Sequence, residues 1–484
     1  MTFISESAGY VLLTVFGIAM VLVTYLFGRW GNWRTKDGFL VANRKVGWLL
    51  GSFSIAASWI WAPALFVSVQ TSYQKGLAGI FWFTAPNILA LTVFALLAPR
   101  IRRQLPEGYT LPEYIRFRLR SERVHRLYLF PYFFYQLMAV TVQLFAGGSL
   151  VALLTGISLL KVMVALSAIV LGYTLISGLK ASVVTDLVQL VVIFVIIAVI
   201  LPNAVHAAGG LSAVAAGFRG TEHVRGMFDP SVAFSFGIVT SIGLLAGSIS
   251  DQSNWQRAFA IRQESLAKAF VVGSFLFGIV PIALSMLGFL AANPKSQIAL
   301  PAGVDQSMIG VWTIAHYLPT WSVYLFTIGF LAILSSSFDA GLCAASSLWV
   351  ADVIRPKDDK SAVRAARLSM IGINVAGLLM ALAVLYIPNF GLEKLWWVFN
   401  TIAACVMVPT VLTLYSRSVS ERGVFWGVLV AFVLGIPIFV YANVLDKPVW
   451  VVGASLFIVL VSTLFSVAIP SKTTKTSAQG EDTA

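Results

Sequence analysis

Charge is scarce in this sequence. Of 484 residues, 11% are Asp, Glu, Lys or Arg, about half the share in a soluble domain. That excludes an ordinary water-soluble fold. Cysteine is almost missing: Cys343 and Cys405 are the only two, and both sit in apolar runs. A disulfide framework is excluded, and four scattered histidines offer no zinc spacing. Alternating segments of about ten residues are also missing, which excludes an outer-membrane barrel. With no catalytic pair or metal cluster in the pattern, the chain reads as a non-enzyme.

What is present is apolar length. The chain is 58% hydrophobic, with a mean hydropathy of +0.87. Runs long enough to cross a bilayer recur throughout. The expected fold is an all-α polytopic membrane protein with thirteen spans: 8–28, 46–72, 77–99, 127–155, 160–179, 182–203, 232–250, 269–291, 319–350, 368–386, 394–415, 423–442 and 449–469. The opening MTFISES has no basic residue, so 8–28 reads as a retained span rather than a signal peptide. Residues 1–470 form one transmembrane domain. Residues 471–484, SKTTKTSAQGEDTA, read as a disordered cytoplasmic tail without an enzymatic module.

The net charge of +13 points to membrane topology rather than nucleic acid. With the N-terminus outside and the C-terminus cytoplasmic, 26 of the 33 lysines and arginines fall in inner segments, as the positive-inside rule requires. The loop RIRRQLPEGYTLPEYIRFRLRSERVHR is the clearest inner anchor, with its basic face against anionic headgroups. The expected location is the cell membrane, with the bilayer as a partner.

Polarity inside spans is costly and marks function. Three stretches stand out. GSFSIAASWIWAPALF (51–66) crowds small residues before Pro63. It is either a proline kink or an unwound segment offering carbonyls to a cavity. GLKASVVTDLVQL (178–190) places Thr185, Asp186 and Gln189 on one helix face. Asp186 is either a solvated helix-start carboxylate or an intramembrane acid. ILSSSFDAGLCAASS (333–347) carries three adjacent serines and Asp339. Back-bonding or close packing accounts for Ser346 and Ser347, but not for Asp339. A broken helix offering carbonyls opposite a helix offering hydroxyls would suit sodium near the midplane.

These stretches resemble the sodium/solute symporter family. GLKASVVTDLVQ is similar to its G-L-(K/R)-A-x-x-x-T-D-x-x-Q signature. DQSNWQR (251–257) resembles the segment ending its seventh span. SSFDAGLCAASS (336–347) aligns without gaps on S-S-A-D-S-A-L-L-A-A-S-S. The resemblance implies LeuT-like inverted five-helix repeats, about 46–205 and 232–416. It implies a sodium site of backbone oxygens of Ala56 and Trp59, a carbonyl near Ile333, and the hydroxyls of Ser336 and Ser337. The triple serine leaves Ala332, Ser335 and Ser336 as the alternative register. Asp186 matches an acid that supports sodium binding in some relatives. SWIWAPALF with DQSNWQRAFA looks most like the urea-transporting branch. Gly247 stands where sugar carriers place an aromatic gate. Ser58, Trp59, Trp61, Gln70, Trp82, Gly247, Ser248 and Asn400 are the candidate solute contacts.

The expected function is therefore sodium-coupled symport of a small polar organic solute: urea, an amino acid or a related metabolite. Proton coupling on the same fold, and a passive channel or non-transporting sensor, are the alternatives. No obligatory protein partner is implied.

Overall fold

A computed structural model describes residues 3–28, 33–301, 304–386 and 392–469. The predicted cytoplasmic tail lies outside the described residues. Long helices dominate: α1 (Glu6–Gly28), α2 (Trp48–Trp59), α3 (Ala62–Gln104), α4 (Leu111–Leu119), α5 (Glu122–Thr155), α6 (Leu159–Ser177), α7 (Leu179–Ala207), α8 (Ile238–Ser250), α9 (Gln252–Ala260), α10 (Leu266–Ala292), α11 (Thr320–Leu348), α12 (Asp359–Val384) and α13 (Leu392–Tyr415). Two further segments, Glu421–Val444 and Pro448–Ala468, close the bundle.

Twelve helical segments among the described residues are long and apolar enough to cross a membrane. The expected span 46–72 is broken. Its first half is α2, twelve residues long, and its second half opens α3. Pro63 lacks an N–H and cannot continue the ladder of α2. Ile60 leaves the helix at φ −78°, ψ 80°. The groups this frees are satisfied from elsewhere: Gln143 Oε1 accepts from Ala62 N at 3.1 Å, and Ser337 Oγ donates to the Ile60 carbonyl at 2.8 Å. An unwound backbone survives in a membrane under that condition.

A second interruption divides α3. Gly76 has φ 55° and ψ −139°, and a Cβ there would lie 2.0 Å from the Phe218 carbonyl. The loop at 217–222 crosses at this point, and Leu77 N donates to Phe218 O. Only glycine fits both the turn and the crossing. This kink coincides with the boundary between the expected spans 46–72 and 77–99.

A third interruption separates α8 from α9 at Asp251, whose backbone is extended (φ −76°, ψ 105°). Helices α3 and α10 pack along one another, as do α8 and α13, while α11 sits among α5, α7 and α2. Helix α11 is the most enclosed of the spans; in its most apolar window 94% of residues are buried. A helix buried on every side can hold a constellation of serines and acids away from lipid.

Candidate functional site

The polar stretches singled out in the sequence meet around α11. Asp186 lies two turns inside α7 and is fully buried. It is therefore a buried acid, not a solvated carboxylate at a helix start. The kink that begins α7 is Gly178, at φ 60°, where a Cβ would lie 2.5 Å from the Phe39 carbonyl.

Three donors surround the Asp186 carboxylate. Ser336 Oγ donates to Oδ1 at 2.5 Å, and Ser54 Oγ to Oδ2 at 2.5 Å. Arg257 Nη2 lies 3.0 Å from Oδ2, forming an ion pair in which both side chains are 1% exposed or less. Arg257 Nε also donates to Ser54 Oγ at 2.9 Å. One carboxylate thus ties α7, α2, α11 and α9 together. Such a pair holds only because every partner is in place.

One residue on, Ser337 reaches the break itself through the Ile60 carbonyl. The same break holds the other expected backbone ligands. Ala56 O accepts from Ile60 N, and Trp59 O accepts from Trp61 N. Each carbonyl oxygen retains a second lone pair. Ile333 and Ala332 lie one turn earlier within the continuous helix α11. The Ser335 carbonyl accepts from Tyr173 Oη at 3.1 Å. The register with Ser336 and Ser337 is the one that brings hydroxyls to the acid and the break. The donors are hydroxyls and carbonyls, the set that suits a hard monovalent cation.

Asp339, unexplained by sequence, has a defined shell. Ser182 Oγ donates to it at 2.6 Å, Tyr173 Oη at 2.8 Å and Thr185 Oγ1 at 3.4 Å. It is fully buried and has no ion pair among the described residues. Ser346 and Ser347 return their hydroxyls to Cys343 O and Ala344 O, which is back-bonding within the helix.

A small cavity of about 20 Å³ lies beyond the break, lined by Trp59, Trp61, Pro63, Ala64, Phe83, Asn87, Tyr135, Leu244, Trp396 and Asn400. It has room for little more than a water-sized group as it stands. Its walls are aromatic: Trp61 stacks on Phe399 at 5.4 Å and leans on Tyr135 at 5.5 Å. Its polar groups are neutral. Trp59 Nε1 donates to Asn87 Oδ1 at 2.9 Å, and Asn400 Nδ2 to Trp396 O at 2.8 Å. Tyr135 Oη reaches Asn400 Oδ1 at 3.5 Å, a long and weak bond. No charged side chain lines the cavity.

Of the expected solute contacts, Trp59, Trp61 and Asn400 line this cavity, and Gly247 abuts it. A Cβ on Gly247 would lie 2.1 Å from Asn400 Oδ1 and 2.8 Å from Tyr135 Oη. The missing side chain is what lets Asn400 enter. Ser58, Gln70, Trp82 and Ser248 are not brought to the cavity. Ser58 Oγ and Ser248 Oγ return to Ile55 O and Leu245 O. Trp82 packs against Phe81 and over Gly237. Gln70 is half-buried on α3, outside the lining. Asn87, Tyr135, Phe83 and Trp396 were not anticipated; single polar or aromatic residues in apolar runs give no sequence signal.

The segment DQSNWQR closes one side of the site. Asp251 Oδ1 accepts from Ser253 N at 2.8 Å and from Gln136 Nε2 at 3.3 Å. Gln252 Nε2 donates to Tyr109 O and Ser347 Oγ, while its Oε1 accepts from Leu111 N. Gln256 Nε2 donates to Leu40 O and Cys343 O. This polar bolt joins α9 to α4, α11 and the Lys36–Val41 helix, with Arg257 at its inner end.

Broken helices meeting an oxygen-rich site beside a small central cavity define a membrane transporter. The sodium:solute symporter family model matches residues 39–431, and the chain belongs to that family. Its members here are transporters, not enzymes. A urea-proton symporter of Oryza sativa is 24% identical, over 90% of this chain and 65% of its own length. A urea active transporter of Saccharomyces cerevisiae is 25% identical, over 86% of this chain and 60% of its own. The chain thus spans about two-thirds of these relatives' length. The sodium/pantothenate symporter of Escherichia coli is 23% identical, over 87% and 88%. In fold, the chain is similar to a Na+-coupled sialic acid symporter, with a TM-score of 0.75 at 16% identity, over 96% of this chain and 98% of that one. A nucleobase-cation-symport-1 transporter in a closed conformation gives 0.50 at 17% identity, over 89% and 95%. The LeuT-like fold and the multi-pass membrane character follow.

Proposed function

We propose that this protein couples sodium entry to uptake of a small, neutral, polar solute, with urea the leading candidate. The observation that carries the coupling is the oxygen cluster at the break: Ser337 Oγ lies on the Ile60 carbonyl, and Ser336 Oγ lies on the buried Asp186. Asp186 is paired with Arg257, whereas the buried Asp251 and Asp339 have no ion pair among the described residues. The adjoining Ser336, Ser337 and the carbonyls of the broken helix suit a monovalent cation. Ala56, Trp59, Ile333, Ser336 and Ser337 would hold sodium, and Asp186 would position Ser336.

Sodium bound there joins α2 and α11, one from each half of the fold. The two halves correspond to inverted repeats of about 46–205 and 232–416, each opening on an interrupted helix, at Ile60 and at Asp251. Rocking of one half against the other would expose the site alternately. The membrane potential contributes about 2.3 kcal/mol per charge per 100 mV. The positive-inside pattern supports an outside N-terminus, with the bolt DQSNWQR on the cytoplasmic side.

The cavity argues for the solute class. It is small, aromatic and lined by neutral amide and phenol groups. An amino acid would need a cation for its carboxylate, and none lines the walls. Urea is flat and neutral, and it stacks and hydrogen-bonds at once. The long Tyr135–Asn400 bond is the contact most readily exchanged for a urea N–H. The names of the rice and yeast relatives agree with this solute.

Uptake of labelled urea into proteoliposomes tests both parts. Accumulation driven by a sodium gradient alone is expected. Accumulation driven only by a proton gradient would replace sodium with the coupling named for the rice relative. Equilibration without accumulation would make the protein a channel.

A further inference from the structure

The basic end of the bundle holds a cleft that transport does not use. It has a volume of about 500 Å³ and is lined by Arg100, Arg103, Gln104, Arg118, Leu414, Tyr415, Ser416 and Arg417. Four guanidinium groups face it, and no carboxylate lines it. A neighbouring cleft of about 950 Å³ shares Arg118 and Arg417, adds Arg116 and Arg120, and brings Glu113 and Glu421.

Helix clamping explains half of this. Arg100 Nε donates to Leu414 O at 2.7 Å, and Arg118 Nη2 to Ser416 O at 2.9 Å. Gln104 Nε2 adds a bond to Leu414 O, and Tyr114 Oη one to Thr413 O. These donors satisfy the last carbonyls of α13, where positive charge is favoured. The clamp leaves Arg103 and Arg417 unexplained. Neither has a hydrogen bond or ion pair among the described residues, and both are exposed. Each guanidinium has five N–H donors, so most donors of all four remain available in one cleft. Gathering them costs like-charge repulsion.

We propose that this cleft binds a phosphate-bearing anion between Arg100, Arg103, Arg118 and Arg417. A guanidinium fork matches phosphate oxygens in pairs, and a bound phosphate offsets the repulsion. The chemistry is shared by an anionic phospholipid headgroup and a free polyphosphate. The rim favours the lipid. Leu96, one turn before Arg100, is 69% exposed, and Phe117 is 57% exposed. Apolar side chains beside a basic cleft at helix ends match the level where acyl chains meet headgroups. The anion would fix the end of α13, the helix that brings Trp396 and Asn400 to the solute cavity. Its binding is measured without transport and does not depend on the solute or the coupling ion.

The test is thermal unfolding of the purified, delipidated protein in a neutral detergent. Phosphatidylglycerol, phosphatidylcholine and soluble pyrophosphate are titrated separately. Phosphatidylglycerol is expected to raise the midpoint saturably, and phosphatidylcholine is not. In Arg103→Gln/Arg417→Gln the apparent affinity for the stabilising anion falls about a hundredfold, roughly tenfold per lost charge-assisted contact. Without lipid this variant unfolds no earlier than wild type, because repulsion is relieved. Arg126→Gln/Arg364→Gln removes the same charge from other exposed positions and keeps the wild-type response. Pyrophosphate stabilisation that equals the lipid's and vanishes in Arg103→Gln/Arg417→Gln supports the phosphate site and assigns it a soluble source. Equal responses of the two double variants, or equal effects of the two lipids with none from pyrophosphate, would overturn the proposal.

Discussion

Ser337 Oγ donates to the Ile60 carbonyl at 2.8 Å, across 277 residues of chain. It is the direct hydrogen bond from α11 to the unwound backbone between α2 and α3. Its neighbour Ser336 binds Asp186 instead. Two adjacent hydroxyls therefore join the break and the buried acid from one helix turn.

Ser337→Ala should weaken sodium dependence more than any other single change on α11. The Ile60 carbonyl loses its partner, a cost of about 1–3 kcal/mol for a buried polar group, and the cation loses a ligand. The half-saturating sodium concentration for uptake should rise about tenfold or more. With Ser336→Ala added, sodium stimulation should disappear. A wild-type sodium curve in the double variant would show that the site lies elsewhere.

The Asp186–Arg257 pair should show strong coupling. Removing one partner of a buried pair typically costs about 3–5 kcal/mol, since the other charge is left alone. Arg257→Gln and Asp186→Asn should each lower the unfolding midpoint markedly. The double variant should recover part of the loss, because neither charge remains. Additive losses would mean that the pair does not interact as described.

Gly247→Ala separates solute binding from sodium binding. The added methyl would need the space of Asn400 Oδ1, 2.1 Å away. Asn400 must swing out and take a polar contact from the cavity. Uptake should fall at least tenfold, while sodium-dependent thermal stabilisation persists. Unchanged uptake would remove Gly247 and Asn400 from the solute site.

Much of this site was legible in the sequence, and the residues show why the rest was not. The break before Pro63 and the serine–acid pattern of 336–347 are local signals: a missing N–H and hydroxyls at helical spacing. They singled out 51–66 and 333–347, and the resemblance to the sodium/solute symporter family is what grouped Ser336, Ser337 and Asp186 in one site. Arg257 was visible within DQSNWQR, yet its partner is 71 residues away, and spacing says nothing over that range. Trp82, Gln70 and Ser248 illustrate the converse limit. In helices buried on several faces, periodicity groups residues but does not say which group faces the cavity. Tyr135 and Asn87 needed that information from packing.

Glu113 gives a pH dependence at the membrane surface. It begins α4 in a reciprocal cap: Glu113 N donates to Thr110 Oγ1 at 3.1 Å, and Tyr109 N donates to Glu113 Oε2 at 2.9 Å. Burial, its largest influence, raises its pKa above the ordinary 4.5, and nearby Asp352 pushes the same way. A raised acid binds its proton more readily when folded than when unfolded. Its contribution to stability is therefore full below 4.5 and is lost as pH rises through the raised value. Glu113→Gln should flatten that part of the unfolding profile, because glutamine keeps the cap without titrating. The comparison is the midpoint difference between wild type and variant across pH. A difference that does not change with pH would show that Glu113 does not titrate differently on folding.

Asp339→Asn tests whether Asp339 adds negative charge to the site. The amide oxygen can accept from the donors of one carboxylate oxygen, while its NH2 must donate to a hydroxyl that turns to receive it. The pocket's shape is kept and any charge is removed. The sodium-free protein should become as stable as wild type or more so, since an uncompensated buried charge has gone. The extra stabilisation that sodium gives should shrink. Both effects appear in thermal unfolding with sodium or choline as the only cation. Undiminished stabilisation by sodium would mean that Asp339 contributes no charge to the cation site.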